Sequence, residues 1–243
     1  MAGHSKWSNI KRRKEAVDDQ RGKVFSKLGR EIQVAVRSGG ADPVSNTLLR
    51  DVIAKAKSYN MPNDNIKRSI ERAAGDPGGA ALEEIYYEGY GPGGVAVMVR
   101  ALTDNRNRTA GEVRHLFSKF GGNLGTDGCV AFQFERKGQI LIERTEELDE
   151  EELFLDAIEA GAQDVDLDDD QLIEIRTGPD SYHEVLDRLS SKYSLFDQNL
   201  GPLPLNSVTL TSEEEAEGME KLIERLEDND DVQDVFHNWD QDD

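Results

Sequence analysis

Gly75-Asp76-Pro77-Gly78-Gly79 divides the chain into two stretches with different hydrophobic periods. Gly and Pro at this density interrupt helices and strands alike, so the segment reads as a linker. Before it, apolar residues recur at three- and four-residue steps. After it, they come in short runs suited to strands. One regular architecture cannot serve both patterns, so the chain must join a helical part to an α+β part.

Upstream, Val24, Phe25, Leu28, Ile32, Ala35 and Val36 form one helical stripe, which Ser38-Gly39-Gly40 ends. A second helix is predicted from Ser45 to about Tyr59, with Leu48, Val52 and Ala56 on one face and Leu49 and Ile53 alongside. Met61-Pro62 breaks it, and Asn63 or Asp64 can cap a third helix through Ile66, Ile70 and Ala74. The expected result is a helical bundle over residues 1–75.

Downstream, Glu84–Glu88 and Val95–Leu102 read as strands joined by a glycine turn. Thr109-Ala-Gly-Glu112 has capping-box spacing and should open a helix that ends at Gly121-Gly122. Cys129–Phe134 reads as a strand. Residues 135–203 then give strand, helix, two strands, helix and strand, the βαββαβ order of a ferredoxin-like unit. The tail adds a strand at 207–211, a helix opened by Ser212 and a strand through Val232–Trp239. It cannot form a core alone, so residues 204–243 should rejoin the sheet of residues 80–134. The fold class is α+β multidomain, with 135–203 inserted in a second α+β domain.

Charge follows the same division. The full chain carries a formal net charge of −20, but residues 1–75 hold 16 Lys and Arg against 8 Asp and Glu, a net of +8. The remainder carries −28. Such asymmetry points to one part that meets a polyanion and another that repels it. The opening arm concentrates Lys6, Lys11, Arg12, Arg13 and Lys14 around Trp7, whose ring can stack on a base. Trp7 could equally cap a small core, and residue pattern alone leaves both open. Lys6, Trp7, Lys11, Arg12, Arg13, Lys14, Arg21, Lys23, Lys27 and Arg30 are the candidate nucleic-acid contacts.

Other motifs carry less. Gly89-Tyr-Gly91-Pro-Gly93-Gly94 has the spacing of a dinucleotide fingerprint, but a strand follows it where that fingerprint needs a helix, so a hairpin turn is preferred. Asp164-x-Asp166-x-Asp168 starts like a calcium loop but has Asp169 at the obligatory glycine and Ile175 at the closing glutamate. His4, His115, His183 and His237 lack metal-ligand spacing, and a single Cys129 excludes an internal disulfide. Cys129 is expected as a buried small hydrophobe. No phosphate-binding loop or nucleophile elbow is present, so neither catalysis, cofactor, metal nor small-molecule substrate is expected. No apolar run approaches a membrane span and no signal-peptide core opens the chain, which suits the cytoplasm. Arg106 and Arg108 stand between a strand and a helix start, where a phosphate would fit. The competing reading pairs them with Asp104 and Glu112 in a structural turn, and it is slightly favoured because Lys119 reaches them only through the fold.

Ala2-Gly-His-Ser-Lys-Trp7, Met61-Pro-Asn-Asp-Asn-Ile66, Tyr87-Glu-Gly-Tyr-Gly-Pro-Gly-Gly-Val-Ala96 and Thr103-Asp-Asn-Arg-Asn-Arg-Thr109 closely resemble signatures of the YebC/PmpR family. The resemblance runs from residue 2 to about 239. It implies a helical domain followed by two α+β domains, one inserted in the other. It also implies a DNA-binding transcriptional regulator, or, through a mitochondrial relative that activates translation, a factor binding ribosomal RNA or tRNA. Phosphate contacts by the basic arm would position either nucleic acid without reading its sequence.

Overall fold

The computed structural model describes residues 21–75 and 81–240, which form two compact units. Of the described residues, one holds those from 21 to 130 together with Ser212–Val235; the other holds Ala131–Thr211 with residues 236–240. The fold is α+β, with helices first.

In the first unit, α1 (Arg21–Gly39), α2 (Thr47–Ser58) and α3 (Asn63–Gly75) surround Leu28, Ile32, Ala35, Leu49, Val52, Ala56, Met61 and Ile66. The stripe read from α1 is the face that packs. Asn46, not Ser45, starts α2: its Oδ1 accepts from the Leu49 amide at 3.0 Å. Its buried Nδ2 also donates to the Ala35 and Gly40 carbonyls at 2.8 and 2.7 Å. One amide side chain thereby caps α2 and satisfies carbonyls at the end of α1. Gly39 has to be small beside it, because an added Cβ would lie 2.8 Å from the Asn46 side chain. The inward face of α2 consists of Leu49, Val52 and Ala56, so Leu48, expected inside, is 47% exposed. On α3 the buried residue of the last turn is Ala73, and Ala74 faces out. The linker segment 76–80 lies outside the described residues.

The first unit also builds a four-stranded sheet, in the order Asn123–Leu124 (β3), Glu83–Tyr90 (β1), Ala96–Thr103 (β2) and Val232–His237 (β9). β1 (Glu83–Tyr90) and β2 (Ala96–Thr103) are antiparallel, pairing from Glu83 with Thr103 to Tyr90 with Ala96. The glycine motif between them is a hairpin turn, with Gly93 and Gly94 at φ 62° and 78°. Side-chain-bearing residues rarely adopt those angles. β2 is buried at every position except Arg100, as expected of a strand covered on both faces. The other strands are β3 (Asn123–Leu124) and β9 (Val232–His237), and two helices cover the sheet: α4 (Arg106–Lys119) and α7 (Glu213–Glu227). Met219 of α7 presses on the turn so closely that a Cβ on Gly91 would lie 2.5 Å from its Sδ.

Two local expectations fail here. Asn105, not Thr109, caps α4 by accepting from the Arg108 amide at 3.1 Å. The helix therefore begins four residues early, and Thr109 is buried within its first turn. Glu112, freed from a capping box, accepts from Asn229 Nδ2 at 2.7 Å. Cys129 lies in a turn instead of a strand. The buried Glu88 carboxylate takes donors from the Gly128 and Val130 amides at 2.8 and 2.9 Å, which curls the backbone around it. Burial and the Glu88 charge both push the Cys129 thiol up, away from the reactive thiolate.

The second unit contains β4 (Phe134–Glu143), α5 (Glu150–Ala160), β5 (Asp164–Asp166), β6 (Leu172–Thr177), α6 (Tyr182–Ser190) and β7 (Leu195–Pro204). The sheet order is β5-β6-β4-β7 with antiparallel neighbours, the ferredoxin-like arrangement. Ile140, Ile142, Leu153, Ala157, Ile173, Ile175, Val185 and Leu189 fill its core. Asp149 caps α5 by accepting from the Glu152 amide at 3.0 Å, as its sequence position suggests. Asp164 and Asp166 lie on β5, where Arg176 approaches them at 3.4 and 3.7 Å. The strand expected at 207–211 shrinks to β8 (Val208–Thr209) and pairs in parallel with β10 (Trp239–Asp240) instead of joining the β1–β2 sheet.

Candidate nucleic-acid interface

The candidate cations fall into three groups. Lys6, Trp7, Lys11, Arg12, Arg13 and Lys14 lie outside the described residues. Arg21 opens α1 and is exposed. Lys23, Lys27 and Arg30 follow on α1, at helical spacings that place them on one side.

That side meets the end of α7. Lys23 Nζ lies 3.0 Å from Asp228, and Lys27 Nζ donates to the Glu227 carbonyl at 2.6 Å. Arg30 donates to the Asp231 carboxylate at 2.7 Å and to the Asp230 carbonyl at 2.8 Å. Asp231 is the centre of a larger constellation. Its Oδ2 accepts from Arg108 at 2.6 Å, from Thr109 Oγ1 at 2.7 Å and from Thr103 Oγ1 at 3.2 Å. Burial pushes this carboxyl upward, but hydrogen bonds from Arg108, Thr109 and Arg30 outweigh it and hold the pKa down at about 2. Arg108 also pairs with Asp104 at 3.0 Å, the partner anticipated for it. A groove of about 420 Å³ runs past these groups, lined by Lys23, Arg30, Arg108 and five acidic side chains, Asp104, Glu112, Asp228, Asp230 and Asp231. Acid outnumbers base, so the groove is a poor receptor for phosphate.

A second network is built the same way. Lys55 and Arg100 both approach Glu31, at 2.8 and 3.1 Å, and both approach Asp234, at 3.2 and 2.5 Å. Burial works against both cations, yet Asp234 and Glu31 raise their pKa values above the ordinary range. These charges hold the helices of the first unit against its sheet.

Arg106 faces outward and lies 3.4 Å from an equally exposed Glu83, a pair that water screens. Lys119 ends the helix that Arg106 opens, roughly 20 Å away at 1.5 Å per residue, with its ammonium 5.3 Å from the Phe120 ring centroid. The fold does not bring Arg106, Arg108 and Lys119 into one cluster.

The exposed cations lie elsewhere. Residues 21–75 carry 11 Lys and Arg against 5 Asp and Glu, a net of +6. Arg50 and Lys57 of α2 and Lys67, Arg68 and Arg72 of α3 all turn to solvent. Lys67 approaches Glu71 at 3.9 Å, and Arg68 bonds Asn65 and the Asp64 carbonyl. These residues were missed as candidates, although Ile66, Ile70 and Ala73 on the inward stripe already force positions 67, 68 and 72 outward.

Among the described residues no group of His, Cys, Asp or Glu could hold a metal ion, and no helix is long and apolar enough to cross a membrane. The class defined by these features is a charge-partitioned α+β protein with basic helices, a helix-covered sheet and a ferredoxin-like unit. The chain belongs to the TACO1/YebC family. Residues 5–76 match the family's N-terminal domain and residues 82–239 its second and third domains. A relative from Acetivibrio thermocellus, named "Probable transcriptional regulatory protein", is 54% identical over 240 residues, covering 98% of this chain and 99% of its own length. The Bacillus subtilis "Probable transcriptional regulatory protein YrbC" is 53% identical over 240 residues, with coverage of 98% and 99%. The crystal structure of a conserved hypothetical protein, Aq1575 from Aquifex aeolicus, superposes with a TM-score of 0.82 at 48% identity, covering 93% of each chain.

Proposed function

We propose that this protein is a nonenzymatic, DNA-binding regulator of transcription that acts in the cytoplasm. The observation that carries the reading is the set of solvent-exposed cations on α2 and α3 in a chain that is otherwise strongly acidic. The names of the full-length relatives support it. On this reading, Arg50, Lys57, Lys67, Arg68 and Arg72 hold backbone phosphates together with Arg21 and the arm of Lys6, Trp7, Lys11, Arg12, Arg13 and Lys14. Lys23, Lys27 and Arg30 anchor α1 through their bonds to residues 227–231. The functional division is into three parts: basic helices over 1–75, a scaffold of 80–134 with 204–243, and the inserted unit of 135–203. The acidic parts orient the molecule by repelling phosphate.

The test is binding of the full chain to labelled duplex DNA and to structured RNA across a salt series. Log affinity for duplex should fall against log salt by about 0.9 per phosphate neutralised. Replacing Lys67, Arg68 and Arg72 together by Ala should lower both affinity and slope. Unchanged binding would remove the assigned face, and a strong preference for RNA over duplex would move the function to translation.

A further inference from the structure

Helix α5 is apolar on two sides. Leu153, Ala157 and Ala160 enter the core of the second unit, while Phe154, Leu155 and Ile158 point outward and are 41, 60 and 44% exposed. Residues 154, 155 and 158 are neighbours on the helix surface, so the three side chains form one patch. A surface helix of a folded unit normally turns charge to solvent on this side. Beside the patch, Phe154, Leu155, Leu167, Glu150 and Glu151 line a groove of about 370 Å³.

The surroundings limit what can fill it. Glu150 is held by Arg144 at 2.8 Å, but Glu146, Glu147 and Glu151 are exposed along the same end of the helix, and Asp168 follows Leu167. This acidic rim repels nucleic acid and anionic lipid. A second copy of the chain docking through the same face would set acid against acid. A chain with apolar anchors and positive charge meets both demands at once.

We propose that the α5 groove docks a basic amphipathic segment of a partner protein. Large apolar residues of that segment pack on Phe154, Leu155 and Ile158, and its Lys and Arg face Glu146, Glu147 and Glu151. This is helix-in-groove recognition with a charged rim. The groove lies within the second unit, and the proposal does not rest on the nucleic-acid reading.

The experiment uses the full chain and a labelled synthetic helix with Leu and Phe on one face and Lys and Arg on the other. A scrambled peptide of the same composition is the control. The amphipathic peptide should bind one-to-one and saturably, and Leu155→Ser or Phe154→Ser should weaken it about tenfold, as for a central interface anchor. Glu151→Lys should weaken it with a reduced salt dependence. Both Ser changes are at exposed positions, and thermal melts verify that the variants fold. Equal binding of the scrambled peptide, or unchanged affinity of Leu155→Ser, overturns the proposal. Self-association of the wild type that Leu155→Ser abolishes, without peptide binding, also overturns it and assigns the face to a second copy.

Discussion

Arg108 and Asp231 meet at 2.6 Å across 123 positions of sequence. The pair fastens the first turn of α4 to the segment between α7 and β9. Because the Asp231 side chain is only 6% exposed and also receives Arg30 and Thr109, it acts as a shared acceptor for three parts of the first unit.

Removing that acceptor should be costly. Asp231→Ala leaves Arg30, Thr109 and Arg108 without their common partner, and hydrogen bonds to charged groups contribute about 1.5–3 kcal/mol. Urea denaturation should show a loss at the upper end of that range. A loss below about 0.5 kcal/mol, the level of an ordinary surface change, would contradict the role.

The same carboxylate predicts an acid limb in stability. Its folded pKa of about 2 lies below the ordinary 3.8, so its contribution is present above pH 4 and is lost as pH falls through 2. Unfolding free energy followed over this window should drop less steeply in Asp231→Asn than in wild type. Parallel curves would dismiss Asp231 as a source of the acid sensitivity.

Charge removal should separate binding from support. Lys67→Ala, Arg68→Ala and Arg72→Ala combined should weaken duplex binding and change stability by no more than about 0.5 kcal/mol, as exposed sites do. Lys23→Ala with Arg30→Ala should lower stability first. The reverse outcome would return the phosphate contacts to α1.

Trp7 gives a third handle. If it stacks on a base, Trp7→Ala should cost about 1–3 kcal/mol of binding and Trp7→Phe should recover much of it. A loss of about 3–5 kcal/mol in folding stability with unchanged affinity of the folded fraction would identify Trp7 as core instead.

Gly91 tests the packing of α7 on the hairpin turn. Gly91→Ala should destabilise by about 1–3 kcal/mol through overpacking against Met219. Met219→Ala should then cost less in that background than in wild type, because neighbouring sites couple. Strict additivity in a double-mutant cycle would show that the contact carries no strain.

Periodicity revealed the α1 stripe, the β1–β2 hairpin and the ferredoxin-like order, because each is written in residues close together in sequence. Local reasoning failed where two residues competed for one role. Ser45 and Asn46 can both start α2, but only Asn46 also reaches the carbonyls of Ala35 and Gly40. Thr109 and Asn105 compete likewise, and Asp231, far along the chain, draws Thr109 inward. The pairing of the candidate cations on α1 was hidden for the same reason. Lys23 and Arg30 look like free cations until residues 228–231 are placed beside them. The outward cations of α3 needed only its helical wheel.

The ion pairs around Asp228, Asp231 and Asp234 also impose a chronology on synthesis. Lys23, Arg30 and Lys55 emerge from the ribosome well over a hundred residues before the acids that neutralise them. At about 5–20 residues per second, that interval lasts on the order of ten seconds or more. During it Lys23 and Arg30 lack those acids beside the ribosome's own polyanion, and Lys55 has only Glu31. A chain that stops before residue 228 never leaves that condition, so a premature stop near the carboxyl end withholds from Lys23 and Arg30 the acids that anchor α1.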